Sequence, residues 1–565
     1  MNLLLNPKKY QWKFSDDETA AIMRKTIEFF ENKGLEKIKE DDHERTWYAD
    51  FLEFVKNEKV FATLLTPRGF GDENARWDTY RNCAFNEILG FYGLSYWYTW
   101  QVSMLGVGPI WLGENELVKK QTAKLLSDGE IFAFGLSEKE HGADIYSSDM
   151  IVEKSEDIYS ASGRKYYIGN ANKAALVSTF GKFKDSGEYV FFVAKSGHEN
   201  YHLIQNVVNS QNYVAEYELD NYPLTKEDIL AEGPKAWDCA LNTINFCKYN
   251  LGWASIGICT HAFYEAIDHA SKRKLFNSHV TDFIHIKQLF VDAYARLSAM
   301  KLFALRASDY MRSASSTDRR YLLFIPMVKM KVTTQGEEVI NNLWDIIAAK
   351  GFEKHGYFEM AARDIRCLPK LEGTVHVNMA LIVKFMANYF FKAKEFPEIP
   401  TRNDTSNDEF LFNQGPTKGL SKIKFHDYRK VYDSVDLANI NVFKGQIKVL
   451  KTLLVVGKPN KKQIKDIDFL LVLGELFTLV VYGQLIIENS KLLGIDDDLL
   501  DQIFDFMIRD FSKFALQLFS KTSSTQIQKT LCLAMIRKPV VDEERFGRVC
   551  HEVYSTMTDS YTMND

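Results

Sequence analysis

The chain lacks paired cysteines. Its seven, Cys83, Cys239, Cys247, Cys259, Cys367, Cys532 and Cys550, are scattered, with no CxxC and no histidine cluster at ligand spacing. That is the usage of a reducing compartment, where cysteines serve as small core residues; no disulfide framework and no metal are expected. It also lacks a long Lys/Arg block and carries a formal net charge of -5, which argues against a nucleic-acid groove as the main function. A polyanionic small cofactor is still compatible with that balance. The opening stretch, Met1 to Pro7, is too short an apolar run for a signal peptide, so a cytoplasmic location is expected. Only Phe469 to Tyr482 is long and apolar. Glu475 at its centre, with Gln484 and Glu488 beyond, would be costly in hydrocarbon, so a helix buried among helices is expected and membrane attachment is not. No short-period repeat is present.

With 565 residues, 46% of them hydrophobic and 26% charged, the chain is long enough for two to four packed regions of a globular protein. Residues 1–130 carry helical periodicity, as in Phe51, Phe54, Val55 and Leu89, Phe91, Tyr92, Tyr96, interrupted by a loop at Thr66 to Gly71. From 131 to 236 short alternating runs such as Ile158 to Gly163 and Tyr189 to Ala194, separated by Gly, Asn and Asp, read as strands and turns. Helical spacing returns over 237–395, including 251–273, 283–311 and 322–349. Residues 396–420 read as a linker, and 421–565 as a second all-helical block.

Four segments carry chemistry. Phe132 to Asp144 is a short strand running into a Ser/Gly loop, which offers backbone N–H groups and a hydroxyl to an anionic or carbonyl-rich ligand, or is simply a solvated turn. Gly163 to Ala171 is a strand whose Tyr167 could stack on a ring system or fill a sheet core. Ala270 to Asn277 places Arg273 where a guanidinium fork suits phosphate, or where it caps a helix. The fourth runs Ala348-Ala349-Lys350-Gly351-Phe352, Arg363-Asp364, then Leu371-Glu372-Gly373-Thr374-Val375-His376. A carboxylate beside a glycine and a hydroxyl, late in a helical region, has the character of a buried base, although Glu-Gly-Thr taken alone is more often a helix-end loop.

In this order and spacing the segments resemble the acyl-CoA dehydrogenase family. Ser137, Gly142 and Asp144 stand on its Thr-Glu-Pro-x-x-Gly-Ser-Asp-like loop. Gly163, Lys165, Tyr167, Ile168 and Asn170 stand on its Gly-x-Lys-x-Trp-Ile-Thr-Asn-like strand. Arg273 and Phe276 stand on its Arg-x-x-Phe-Gly turn, with Asn277 for Gly, and Glu372 on its Glu-Gly-Thr. The resemblance implies a mostly helical α+β fold: an N-terminal helix bundle, a small β-barrel or sandwich domain, a four-helix bundle, and an extra C-terminal helical domain like that of the very-long-chain type. It implies FAD, held by Phe134, Leu136, Ser137, Gly142, Ala143, Tyr167, Gly169, Arg273, Phe276, Ala349, Thr374 and His376. Asn245, Lys248, Leu371 and Gly373 would meet the substrate.

By the same resemblance Glu372 removes the α-proton of an acyl-CoA thioester while hydride passes from the β-carbon to flavin N5, giving the trans-2-enoyl thioester of fatty acid metabolism. Electrons would leave through an electron-transferring flavoprotein or a similar acceptor. A homodimer is implied. An acyl-carrier-protein thioester as substrate, or a relative without catalysis that serves as an interaction module, are the alternatives. The chain departs from the family pattern at Gly169, which replaces a Thr or Ser facing flavin N5. It also departs at Ala143, Ala348-Ala349, His376, Asn245, Lys248 and Leu371. The aromatics of helices near 80–105 and 240–255 (Phe91, Tyr92, Tyr96, Trp97, Trp100; Phe246, Tyr249, Trp253) would either shorten an acyl pocket or fill a core, the core being favoured.

Overall fold

The computed structural model describes residues 3–10, 12–156 and 158–564. Helices occupy the chain up to Glu116–Ser127, eight strands follow between Phe132 and Glu232, and helices resume at Pro234 and run to Glu543–Met557. The strands β1 to β8 are Phe132–Gly135, Ile151–Ser155, Ile158–Gly169, Leu176–Phe183, Tyr189–Ala194, Tyr201–Asn206, Val214–Leu224 and Ile229–Glu232. They form one sheet in the order β6-β7-β3-β2-β4-β5-β8, with β1 parallel beside β4. Alternate residues such as Val152, Ala161, Ile168, Val177, Phe192, Ala215 and Leu219 close a core belonging to this unit alone. A bulge in the β3–β7 ladder between Tyr166 and Ile168 leaves Tyr167 at φ 69°, out of the alternation. Bulges re-aim side chains in this way.

The Leu94–Leu112 helix joins the β unit to the helical mass and is buried on nearly every side. Gly106 permits this: a Cβ there would stand 2.7 Å from the Ala133 nitrogen of β1. Asn170, at the end of β3, clamps the same junction. Its Nδ2 donates to the Thr99 carbonyl (3.1 Å), Ser103 Oγ (3.2 Å) and the Phe132 carbonyl (3.2 Å).

One continuous helix is expected over 322–349, and the structure interrupts it. Tyr321–Met327 is α-helical, Val328–Val332 is a π-turn, and Thr333–Ile347 is α-helical again, ending at Ala348 with φ 56°. Pro326, which brings no N–H to the ladder, lies in the turn before the π segment.

The Ile467–Leu493 helix is, among the described residues, the one long and apolar enough to cross a membrane, and 83% of its most apolar window is buried. It packs against the Ile284–Arg312 and Asp497–Phe519 helices. Glu488 on it accepts from Arg306 Nε at 2.9 Å, tying the C-terminal helices to the preceding bundle. Residues 396–420 hold only short 3-10 turns but are pinned throughout. Arg312 donates to the carbonyls of Asp404 and Ser406 (3.0 Å each), Asn242 Nδ2 to Gly415 (3.0 Å), and Thr417 Oγ1 to Asp238 (2.8 Å).

Candidate active site

A cavity of about 750 Å³ opens between the β unit and the helices. One wall is built by the β1 end and its loop, and the loop is shaped by a buried ion pair. Lys165 Nζ donates to Glu138 Oε1 at 2.6 Å and to the Leu136 carbonyl at 3.1 Å, while Glu138 accepts from Ser148 Oγ and Asp149 N, both at 2.6 Å. Those bonds and the Lys165 charge outweigh burial and hold the Glu138 carboxyl below its ordinary range. Phe134, Leu136, Ser137, Gly142 and Ala143 therefore face the cavity together with Tyr167 and Gly169 of β3. Ser137 Oγ donates to the Tyr166 carbonyl at 2.9 Å, so the hydroxyl is already oriented by the strand.

The opposite wall carries Asn245, Lys248, Leu371, Glu372 and Gly373. Glu372 and Gly373 take successive left-handed conformations, φ 51° and 87°. For a non-glycine residue this costs about 1–2 kcal/mol. The carboxyl points inward: Oε1 accepts from Gln101 Nε2 at 2.6 Å, and Oε2 is buried without a hydrogen-bond partner. Burial pushes the carboxyl up to about 7, against the opposing pull of the Gln101 bond and the nearby Lys329 and Lys248 charges. Burial likewise lowers Lys248 to about 8 and Lys329 to about 7, each partly offset by Glu372.

Five residues named from the sequence lie elsewhere. Thr374 caps the Val375–Ile382 helix, accepting from Val377 N at 3.5 Å, and His376 is exposed beside it. Arg273 faces a second concavity with Lys350, Ala349 is exposed in the turn after the Thr333–Ile347 helix, and Phe276 is 92% exposed at a hairpin tip. The aromatics Tyr96, Trp97, Trp100, Phe246, Tyr249 and Trp253 are core residues and do not line the cavity. Sequence reasoning missed Tyr98, Val102 and Leu105, which do line it, and Lys329 and Gln101, which hold Glu372. It also missed that Thr417, Lys418 and Leu420, in the expected linker, complete the wall.

The glycine at 169 has a local cause. A Cβ there would meet Tyr98 Cε1 at 2.6 Å and Val102 Cγ1 at 2.9 Å, so the Tyr98 ring occupies the space a larger residue needs. Gly169→Thr is expected to cost about 1–3 kcal/mol by overpacking, and Tyr98→Ala in the same chain to recover most of it. Denaturant unfolding of the single and double variants measures this. A single variant as stable as the parent would show that Tyr98 does not compete for the space.

Comparison with known proteins fits this geometry. Residues 235–387 match the family model described as acyl-CoA dehydrogenase, C-terminal domain. Over those residues the chain is similar to the acyl-CoA dehydrogenase family. The 3-(aryl)acrylate reductase of Clostridium sporogenes is 24% identical over 65% of this chain and 97% of its own length. The caffeyl-CoA reductase-Etf complex subunit CarC of Acetobacterium woodii is 22% identical over 62% and 97%. The solved acyl-CoA dehydrogenase of Bacillus anthracis, complexed with FAD, aligns with a TM-score of 0.75 at 16% identity. That alignment covers 99% of this chain and 97% of that one, so the fold extends through the C-terminal helices.

FAD is the cofactor of this family of oxidoreductases, and the residues present suit it. Tyr167 is 44% exposed toward the cavity, a Cβ on Gly142 would meet nothing within 4 Å, and the unpartnered Glu372 oxygen lies on the other wall. An aromatic face, an open loop and a buried carboxyl are what a flavin and a substrate between them require.

Proposed function

We propose that the protein interconverts an acyl thioester and its trans-2-enoyl thioester, with Glu372 as the group that takes the α-proton. The unpartnered, buried Oε2 of Glu372 carries this reading. A thioester α-proton is too weakly acidic for a water-exposed carboxylate, and burial gives this one a proton affinity matched to neutral pH. Phe134, Leu136, Ser137, Gly142, Ala143 and Tyr167 would hold the flavin, and FAD when bound supplies the two-electron partner for the Cα–Cβ bond. Lys248, within the same wall, supplies positive charge beside the carboxylate.

Arg319, Lys384 and Lys418 bring cationic side chains to the cavity, and Arg319 Nε is buried and unpartnered. They suit the phosphate-bearing arm common to acyl-CoA and acyl-carrier-protein thioesters. Dehydrogenation is the direction proposed here. The two relatives named as reductases correspond to the same atoms run backwards, with Glu372 returning the proton. A protein that serves an electron-transferring flavoprotein is in keeping with the Etf complex to which one relative belongs. Arg273, Phe276 and Ala349 lie away from the cavity and would reach a cofactor only across a homodimer.

The test is anaerobic. FAD-loaded protein mixed with a panel of acyl-CoA and acyl-carrier-protein thioesters is expected to lose its flavin absorbance. The rate should rise with pH to a plateau, with a midpoint about 7, because dehydrogenation needs the carboxylate. Failure to take up FAD, or bleaching by no thioester of either carrier, would overturn the proposal.

A further inference from the structure

A buried chain of amides ends on Glu372, and its direction is fixed at both ends. The indole N–H groups of Trp97 and Trp100 donate to Asn86 Oδ1 at 2.7 and 3.1 Å. Asn86 Nδ2 donates to Asn250 Oδ1 at 2.8 Å, and Asn250 Nδ2 to Gln101 Oε1 at 2.6 Å. Gln101 Nε2 then donates to Glu372 Oε1 at 2.6 Å. Asn86, Asn250 and Gln101 are at most 1% exposed.

Amide oxygens and nitrogens are interchangeable in shape, so their assignment depends on partners that have no choice. An indole N–H can only donate, which turns the Asn86 oxygen toward the tryptophans. Backbone carbonyls can only accept: Asn82 takes a bond from Asn86 Nδ2 at 2.6 Å, and Cys247 takes one from Gln101 Nε2 at 3.3 Å. Flipping any one amide would set oxygen against oxygen or N–H against N–H. Gln101 therefore presents only a donor to Glu372.

We infer that Gln101 is a positioning residue: its one-way hydrogen bond engages Oε1 of Glu372 and turns Oε2, the oxygen without a partner, toward the cavity as the atom that takes the proton. Nothing else on the Leu94–Leu112 helix touches the carboxyl by a hydrogen bond among the described residues. A bond that serves the ionised form also keeps the proton affinity of the group from rising as far as burial alone would take it.

This rests on Glu372 as the proton acceptor, and the test separates the two. In the FAD-loaded protein without substrate, the Glu372 carboxyl is titrated by infrared difference spectroscopy, its band assigned by subtracting Glu372→Gln. Gln101→Met keeps length and loses the donor. It is expected to move the titration up by about 1–2 pH units, the size of a hydrogen bond to a charged group. Gln101→Glu keeps the shape and an acceptor for Asn250; the two carboxyls then share one proton, and the loss of that last proton should move up at least as far, which guards against a folding defect in the first variant. The low-pH limb of the bleaching rate should move with the carboxyl. An unchanged carboxyl titration in both variants overturns the role of Gln101. A moved carboxyl with an unmoved rate profile leaves Gln101 in place and removes Glu372 as the base.

Discussion

Replacing Glu372 by Gln is expected to cut the rate of flavin bleaching by at least about a thousandfold, within the range general acid–base groups contribute, while FAD stays bound. The amide can still accept from Gln101, so the loop need not move; only the proton acceptor is lost. Lys248 is the neighbouring group able to substitute, because burial lowers it to about 8 and part of it is neutral near that pH. Residual activity in Glu372→Gln should therefore rise with pH at a midpoint below 8, because the variant also removes the Glu372 charge that holds Lys248 up, and should vanish in the double variant with Lys248→Met. Stability gives an independent reading. The folded-state carboxyl is raised from 4.5 to about 7, so between those values the folded protein holds a proton that the unfolded chain has released. Stability from this group is complete below about 4.5 and lost as pH rises through 7, by about 3 kcal/mol. The melting temperature of Glu372→Gln should accordingly exceed the parent's by more at pH 8 than at pH 5. Equal rates in variant and parent would sink the assignment.

The elements that present this site differ in how far their sequence betrays them. The change from helical spacing to short alternating runs near 131, and back near 237, is a local signal, and the strands and helices stand there. Glu372 and Tyr167 were visible because their neighbours, Gly373 and the β3 turn, carry local conformational meaning. The groups that hold Glu372 were not. Gln101 is the one amide of an apolar helix, whereas Asn86 shares its helix with Asn82 and Glu87 and Asn250 opens its own, and no spacing rule joins three amides from three segments. The available hint was the isolation of Gln101: an amide in an apolar helix must find partners inside the fold. Thr417 and Lys418 lay in sequence that reads as a connection, because irregular backbone pinned by Asp238 and Asn242 has no periodicity to read. The π-turn was hidden for the same reason. One inserted residue in a helix leaves the apolar pattern nearly intact.

Lys329 stands on that π-turn, and Lys329→Met is expected to be the most damaging change outside the residues that face substrate. Its Nζ donates to the Pro369 carbonyl at 2.7 Å and also to the Gly373 carbonyl, so it bridges the two ends of the segment that bears Glu372. The side chain is fully buried, and the Asn250–Lys272 helix lies so close to the turn that a Cβ on Gly252 would meet the Val328 carbonyl at 2.7 Å. The Gly373 carbonyl also accepts from Asn378 Nδ2 at 2.9 Å, so the amine is irreplaceable chiefly at Pro369. Without it the Pro369 carbonyl loses its donor, the left-handed pair at 372 and 373 is held only by the Asn378 bond to Gly373, and Glu372 loses a nearby positive charge. Hydrogen bonds to a charged donor are worth about 1.5–3 kcal/mol each, so a loss of about 2–4 kcal/mol in stability is expected, together with a bleaching rate about a hundredfold lower at pH 7. The two effects separate by pH. Loss of the cation raises the Glu372 carboxyl further, so part of the rate should return as pH rises above 8, whereas the part due to a displaced loop should not. Lys329→Arg keeps the charge but cannot fit the same two carbonyls in the space of an amine, so it should recover the pH limb and not the plateau. A Lys329→Met protein with the parent's stability and pH profile would show that the loop holds Glu372 unaided.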